Sequence, residues 1–215
     1  MYKSKSVISV FDKIAKPYVD YFGEDWEFIN EINDYISLLK SNSIVLDLGC
    51  GSGYITNYLT KEKLNSIGID FSKEMINIAN NKYPNNEFIC DNILNIKNHF
   101  KENSIDGAIS IYSLYFIPKE ELDSFFKSLS FIMKPNAKML IITIVGNGEE
   151  YINTPLMKDN GVEENLYVNY YMQDDLKKII NNNGFTIDYF KKKEMLDEKD
   201  ISDKGRYIIL ISNNK

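Results

Sequence analysis

The segment VLDLGCGSG, residues 45–53, combines an acidic residue with three glycines spaced two apart. Glycine lets the backbone bend sharply and approach a ligand closely, and such turns follow the first strand of many ligand-binding sheets. The dinucleotide fingerprint G-x-G-x-x-G, started at Gly49, needs a third glycine where this chain has Tyr54. Asp47 would also repel a pyrophosphate lying over the turn, whereas it would attract a cation. The segment therefore favours a ligand with a positively charged head.

Two further acids end the next two predicted strands. Asp70 ends the second strand, where a carboxylate can accept both hydroxyls of a ribose. Asp91 ends the third strand in FICDNI, where it can accept from an adenine amino group, with Phe71 and Ile93 against the adenine faces. A single strand-end aspartate is more often a turn or capping residue. Three acids at three successive strand ends, with a glycine turn at the first, indicate a nucleoside site.

The elements that position these residues alternate along the chain. The predicted strands cover 43–48, 65–70, 86–90, 104–112, 138–145, 185–190 and 206–212, and the predicted helices cover 54–63, 72–83, 118–133 and 172–183. Repeated strand–helix–strand units require crossovers and give a parallel sheet with helices on both faces. A charged loop at 191–205 joins the last two strands without a helix. We therefore expect an α/β fold with a doubly wound, seven-stranded, mostly parallel sheet and an antiparallel edge hairpin.

The predicted division into domains separates the residues before the first strand from the rest of the chain. Residues 1–40 are expected to form an N-terminal helical lid, and residues 41–215 a Rossmann-like domain. Within the lid, residues 23–40 have helical spacing, and their apolar side chains fall on one face. That predicted face comprises Trp26, Ile29, Ile32, Ile36 and Leu39.

Composition excludes several classes of protein. The 215 residues include 25 Lys+Arg and 31 Asp+Glu, and the formal charge of −6 disfavours nucleic acid as a partner. The one basic run, Lys191 to Lys193, is expected to be a solvated loop or strand end. Two cysteines, Cys50 and Cys90, cannot form a disulfide scaffold, and we expect free thiols in a reducing cytoplasm. We find neither a signal peptide nor an apolar run of the ~20 residues that a membrane helix needs.

The motifs together resemble those of the class I S-adenosylmethionine-dependent methyltransferases, over nearly the whole chain. VLDLGCGSG resembles their glycine motif, IGIDFSKEMINIA their second motif, FICDNILNI their adenine motif and IDGAISIYSLYFIP their fourth-strand segment. The N-terminal FDKIAKPY resembles the start of the lid in the small-molecule branch. S-adenosylmethionine carries an ammonium group and a sulfonium centre but no phosphate, which suits the acid beside the glycine turn.

The resemblance implies the residues that bind this cofactor, with Met75 facing the nucleoside and Tyr18 leaning over it. The expected cofactor-binding residues are Asp47, Gly49, Cys50, Gly51, Gly53, Asp70, Phe71, Met75, Asp91, Asn92, Ile93, Ser110 and Tyr18. Two departures from the family pattern stand out. Tyr115 occupies a position where that branch often has histidine, and Asn136–Ala137 replace two glycines before the fifth strand. No metal is expected, because the fourth-strand segment offers no additional carboxylate or amide ligands.

The reaction implied is methyl transfer by in-line displacement to a small organic acceptor. Orientation of the acceptor supplies most of the rate, so an obvious general base is not required. We expect Tyr18 and Tyr115 to position the cofactor or acceptor, with Tyr112, Tyr170 and Tyr171 as further candidates. His99, the one histidine, is expected on the surface at the sheet end opposite the glycine turn. The insertion 146–171 is expected to form the acceptor-side wall together with the lid.

Other functions stay open from the sequence. A catalytically silent cofactor-binding protein would keep the glycine turn and the acids, and an RNA or protein methyltransferase would show a basic face. A nicotinamide dehydrogenase is the most distant alternative. Neither a Pro-Pro motif after the fourth strand nor a suitably placed cysteine supports methylation of a nucleobase. The chain is expected to be a monomer or a homodimer and to have neither a nucleic-acid nor a membrane partner.

Overall fold

A computed structural model describes residues 2–24, 26–194 and 205–214 and confirms the expected α/β architecture. Its elements are α1 (Tyr2–Phe22), α2 (Ile29–Ser37), β1 (Ile44–Leu48), α3 (Tyr54–Lys61), β2 (Asn65–Asp70), α4 (Lys73–Lys82), β3 (Glu87–Cys90), β4 (Ile105–Ile111), α5 (Lys119–Ile132), β5 (Met133–Ile144), β6 (Gly148–Ile152), α6 (Pro155–Asp159), β7 (Leu166–Tyr170), α7 (Gln173–Asn182), β8 (Phe185–Lys193) and β9 (Arg206–Asn213). Short 3-10 turns cover Ile93–Asn98 and Leu114–Phe116.

The main sheet has seven strands in the order β3-β2-β1-β4-β5-β9-β8. Strands β1 to β5 pair in parallel, and β9 pairs antiparallel with both β5 and β8. From β1 the chain adds β2 and β3 on one side and then crosses back to add β4 and β5 on the other side. The order of the strands therefore changes direction between β1 and β4, and the loops that follow these two strands lead away to opposite sides. In open α/β sheets, ligands bind at this switch point, beyond the carboxyl ends of the strands. The antiparallel edge hairpin predicted from the sequence is confirmed.

Local sequence explains where the helices that flank this switch point begin and end. Ser72 caps α4, because its side chain accepts a hydrogen bond from the backbone of Met75 at 3.2 Å. Helix α5 begins directly after Pro118, whose missing N–H costs nothing at a helix start. Helix α7 ends before Gly184, which has a φ of +85° that few other residues adopt. The polar N-terminus of α4 is thereby fixed beside the end of β2.

Side chains alternate across the sheet and feed a core on each face. On one face, Leu46 and Leu48 of β1 pack with α5 and α7. On the other face, Val45 of the same strand packs with α2 and α3. Asp47 shares that second face by alternation, so its carboxyl lies under α3 and not in open solvent. Because β1 is buried on both faces, Asp47 lies in the interior, next to the turn that follows the strand.

A third apolar cluster lies beyond the carboxyl edge of the sheet. In it, Val7, Val10, Phe11 and Ile14 of α1 pack against α6 and β7 and against Met75 of α4. Strand β7 pairs antiparallel with β6 in a two-stranded sheet. Helix α2 instead packs on the main sheet, so the two helices of the predicted lid have different neighbours. We name the assembly of α1, α6, β6 and β7 the cap.

Several details differ from the sequence predictions. The β6–β7 hairpin within 146–171 was not expected, and β5 begins at Met133 instead of 138. The chain passes from α5 directly into β5, and Asn136 takes a φ of +62° where the β4–β5 register shifts. The lysine run 191–193 forms the end of β8, which is one of its two predicted environments, with Lys193 within 4 Å of both Glu27 and Glu31. Most of the predicted charged loop at 191–205 lies outside the described residues.

We expect Phe126→Ala to lower the free energy of unfolding by about 3–5 kcal/mol, because this fully buried ring leaves a cavity. Its ring contacts Phe125 and Phe185, with centroids 5.2 Å and 5.9 Å away. Urea unfolding followed by circular dichroism measures the change. Tyr189→Ala on the edge strand β8 is the control, because that side chain is exposed. A loss below about 1 kcal/mol for Phe126→Ala would contradict the proposed packing of α5 on the sheet.

Candidate active site

The glycine turn between β1 and α3 is pinned to the neighbouring strand. The backbone N–H groups of Gly49 and Cys50 both donate to the carbonyl of Ile69, at 2.8 Å and 3.0 Å. All three glycines of the motif have positive φ, from +51° to +79°. A side chain at Gly49 would overlap Ser113, and one at Gly53 would lie 2.6 Å from the ring of Phe88. Two of the glycines therefore allow close packing inside the protein.

Gly51 has a different environment from the other two glycines. A Cβ atom at this position would have no heavy atom within 4 Å. Its N–H donates to Oδ2 of Asp70 at 2.9 Å, so the carboxylate at the end of β2 holds the tip of the turn. The open space over Gly51 is where a ligand can approach the backbone closely.

Asp70 joins the glycine turn to the start of α4. Its second oxygen, Oδ1, accepts from the backbone N–H of Ser72 at 2.8 Å. Burial raises the pKa of Asp70 to about 6, despite those two hydrogen bonds from backbone, and the nearby charge of Asp12 adds to the effect. Each carboxylate oxygen still has a lone pair that a ribose hydroxyl can use. The geometry fits the role expected for this acid.

Asp47 lies beneath the turn, where it is 3% exposed. Its Oδ2 accepts from the hydroxyl of Thr56 on α3 at 2.7 Å. Burial raises the pKa of Asp47 to about 7; the Thr56 hydrogen bond opposes the rise, and the charge of Asp70 reinforces it. Two buried carboxyl groups thus lie on either side of one backbone turn. A cation above that turn would favour their ionised forms.

Asp91 lies beside Asp70, because its N–H donates to the carbonyl of Asp70 at 3.0 Å. His99 contacts this acid, with Nε2 2.7 Å from Oδ2 of Asp91. The prediction that His99 lies at the opposite end of the sheet is therefore wrong. The 3-10 turn that follows Asn92 returns the chain to the carboxyl end of β3, and the sequence spacing alone did not show this return.

The lid helix α1 is attached to the same region. Oδ1 of Asp12 accepts from the hydroxyl of Ser72 at 2.7 Å and lies 3.3 Å from the backbone nitrogen of Glu74. Phe11 contacts Phe71 edge to face, with ring centroids 5.9 Å apart. The cap therefore packs on the loop that follows Asp70, through the polar contact of Asp12 and the apolar contact of Phe11.

The remaining predicted cofactor residues lie around this edge with different exposure. Met75 is buried beneath α1, and Phe71 is partly exposed beside Phe11. Asn92 accepts from the backbone of Leu94 at 3.0 Å and so begins the 3-10 turn, while Ile93 points into the core on the α5 face. Two further residues are buried: Cys50 in the turn, whose pKa is raised by burial, and Ser110 in β4, whose hydroxyl lies 2.6 Å from that of Ser113.

Four of the five candidate tyrosines come together where the cap meets the rest of the protein: Tyr18 and Tyr170 of the cap lie near Tyr112 and Tyr115. Burial raises the pKa of Tyr115 well above its ordinary value, and the nearby Tyr18, Tyr112 and Tyr170 raise it further. Tyr18 stacks edge to face on Phe11, with centroids 5.6 Å apart. Tyr171 does not join them, because it packs in the core with α5 and α7, where its hydroxyl donates to the carbonyl of Ile117 at 2.8 Å.

Sequence reasoning missed several residues at the site. Arg206, the one arginine in the chain, is 4% exposed and donates from Nε to the hydroxyl of Tyr112 at 2.9 Å. Its charge lowers the pKa of Tyr115, so it lies close to the tyrosine cluster. Thr56 and Asp12 were also missed, although Thr56 lies one helical turn into α3. A lone arginine in an acidic chain was the available signal for Arg206.

Two glycine substitutions test this description of the turn. We expect Gly49→Ala to lower the free energy of unfolding by at least about 2 kcal/mol more than Gly51→Ala. Both positions have positive φ, which costs roughly 1–2 kcal/mol for alanine, but only Gly49 also meets Ser113. Urea denaturation gives both values. Gly51→Ala should instead weaken binding of S-adenosylhomocysteine, and equal stability losses for the two variants would refute the assignment.

Within the described ranges, no helix has the length and apolar character required to cross a membrane. In the same ranges, no three side chains of histidine, cysteine, aspartate or glutamate are grouped as metal ligands.

Comparison with known proteins identifies a methyltransferase domain in the chain. A family model described as a methyltransferase domain matches residues 45–136, from β1 into β5. A protein of Invertebrate iridescent virus 6, named as a methyltransferase, is 30% identical over 151 residues, which cover 68% of this chain and 54% of that protein. An uncharacterized methyltransferase of Alkaliphilus oremlandii is 25% identical over 193 residues, covering 82% of this chain and 88% of that protein.

The fold is shared with solved structures at lower identity. The 1,6-didemethyltoxoflavin-N1-methyltransferase of Burkholderia thailandensis, solved with 1,6-didemethyltoxoflavin and S-adenosylhomocysteine, superimposes with a TM-score of 0.73 at 12% identity. The match covers 98% of this chain and 88% of that one. The matched segment begins at β1 and contains the glycine turn with Asp47, Asp70 and Asp91. A methyltransferase domain therefore spans residues 45–136, and the chain has the fold of the S-adenosylmethionine-dependent methyltransferases.

Proposed function

We propose that the chain transfers a methyl group from S-adenosylmethionine to a small organic acceptor. The observation that carries this proposal is the cap over the carboxyl edge of the sheet. Phe11 of α1 contacts Phe71 and Phe116, with ring centroids 5.9 Å and 5.1 Å away, so the cover reaches the loops after both β2 and β4. A partly apolar enclosure of this kind suits a small molecule better than a macromolecule.

The residues of the turn fit the chemical groups of S-adenosylmethionine. Asp70 would hold the ribose hydroxyls, Gly51 would approach the methionine portion, and Asp91 would accept from the adenine amino group. Asp47, buried under the turn, contributes negative charge that favours the ammonium group. When bound, the cofactor supplies an electrophilic methyl group on a positively charged sulfur.

The protein's contribution to the reaction is orientation and exclusion of water. Holding two reactants in line can supply roughly 7–11 kcal/mol of the barrier, and a base adds less. Because the pKa of Tyr115 is raised well above its ordinary value, its hydroxyl stays protonated and can donate a hydrogen bond. Tyr18 and Tyr115 are therefore proposed as positioning contacts to the cofactor or the acceptor. The toxoflavin methyltransferase, which shares the fold, is named for a small heterocyclic acceptor, and this supports the assigned class.

Titration with S-adenosylhomocysteine, followed by an acceptor screen, tests the proposed function. We expect a dissociation constant below about 1 mM by calorimetry, and release of S-adenosylhomocysteine with at least one small acceptor. Binding without turnover across the panel would favour the catalytically silent alternative. Salt-sensitive retention of RNA, or methylation of added protein, would favour a macromolecular acceptor. Absence of binding at millimolar ligand would overturn the proposal. Phe126→Ala, measured at a temperature at which this variant is still folded, is the control for the effect of reduced stability on binding.

The pH dependence of binding tests the role of Asp47. Its pKa of about 7 in the free protein means that it is increasingly protonated below pH 7. The ammonium group of S-adenosylhomocysteine favours the ionised form of Asp47, so affinity for this ligand should rise several-fold from pH 5.5 to pH 7.5. Asp47→Asn should lower the affinity and flatten this dependence. Asp34→Asn, an exposed change on α2, is the matched control, and an unchanged pH profile in Asp47→Asn would contradict the role.

A further inference from the structure

The carboxylate of Asp91 is held by three donors from the chain that follows it. Oδ1 lies 2.7 Å from the backbone nitrogen of Asn92 and 2.7 Å from Nδ2 of Asn95. Oδ2 lies 2.7 Å from Nε2 of His99. An ionised carboxylate can only accept hydrogen bonds, so we assign the hydrogen between Oδ2 and the ring to Nε2. His99 therefore acts as a donor that fixes one oxygen of the acid.

This arrangement limits how the carboxylate can contact a ligand. A carboxylate offers about four acceptor positions, two on each oxygen. The donors Asn92 and Asn95 occupy both positions on Oδ1, and His99 occupies one on Oδ2. One position remains on Oδ2. The side chains of Asp91 and His99 are 28% and 30% exposed, so a ligand at the strand end can reach it.

We propose that His99 is a positioning residue that presents one acceptor position of Asp91 to the 6-amino group of the cofactor's adenine and so rejects 6-oxopurine nucleosides. The inference rests on the proposed function, since it takes Asp91 as the adenine contact. The carboxylate bonds an amino group but repels a carbonyl oxygen, because both would be acceptors. Without His99, both acceptor positions of Oδ2 are open, and the carboxylate loses the single direction that selects the amino group.

The chemistry of Asp91 supports this role. Burial tends to raise the pKa of Asp91, but hydrogen bonds from Asn95 and His99 outweigh it and leave the pKa below its ordinary value. The acid is therefore ionised at neutral pH and cannot donate to an oxo group. Asp91 and Asp70 lie next to each other, joined by a 3.0 Å backbone hydrogen bond. A nucleoside whose ribose is held by Asp70 would thus present its base toward Asp91.

Paired ligands test the inference: S-adenosylhomocysteine, with a 6-amino group, and S-inosylhomocysteine, with a 6-oxo group. Calorimetric titration of the wild-type protein is expected to show at least roughly tenfold tighter binding of the amino ligand. His99→Leu should weaken the amino ligand about five- to twentyfold while changing the oxo ligand less than twofold. His99→Gln, which retains a donor, should recover most of the discrimination. Asn95→Ala, which removes the other side-chain donor, should reduce it as well.

The ratio of the two dissociation constants separates positioning from a structural role. If His99 only stabilised the 3-10 turn, His99→Leu would weaken both ligands by the same factor. Exposed Asn98, on the same turn, provides the control Asn98→Ala, which should leave both constants within twofold. Normal S-adenosylhomocysteine binding with an unchanged ratio in both His99→Leu and Asn95→Ala would overturn this inference alone. Absence of S-adenosylhomocysteine binding to the wild-type protein would overturn the proposed function together with it.

Discussion

One carboxylate, that of Asp70, fixes the geometry of the site. It accepts from the tip of the glycine turn at Gly51 and from the N-terminus of α4 at Ser72. Two loops from neighbouring strands are thereby held at one point, within 3 Å of the same side chain. If either hydrogen bond were absent, the turn and the helix could move independently. The open space over Gly51 and the carboxylate oxygens of Asp70 would then no longer be available to the same ligand.

The cap is coupled to this point through a short polar chain. Asp12 of α1 accepts from the hydroxyl of Ser72, whose backbone donates to Asp70. The same helix packs its apolar side on β7 and α6, so one element contacts both the loop after Asp70 and the rest of the cap. A ligand that changes the position of Asp70 would therefore affect the cap through two successive hydrogen bonds. The contact of Phe11 with Phe71, the residue after Asp70, adds an apolar link at the same place.

The sequence predicted those parts of the structure that depend on local patterns. Alternating strands and helices follow from hydrophobic spacing, and Asp47 could be placed under the turn because it lies two residues before a glycine. His99 and Tyr171 could not be placed, because their positions depend on how a 3-10 turn and an unexpected hairpin redirect the chain. Arg206 was missed for a similar reason: an antiparallel strand from the end of the chain returns it to Tyr112. Residues brought in by such returns leave no spacing signal.

The burial of acids at this edge costs stability in the free protein. Asp47 and Asp70 both have raised pKa values, which means that the folded state disfavours their charged forms. Replacing either acid with a neutral residue would remove that cost, so their presence needs a compensating role. A ligand that carries positive charge to the turn provides one, because it stabilises both ionised carboxylates at once. A phosphate-bearing ligand would instead raise the free-energy cost of the two ionised carboxylates. The sign of the ligand's charge therefore distinguishes a methyl-donor site from a dinucleotide site more sharply than glycine spacing does.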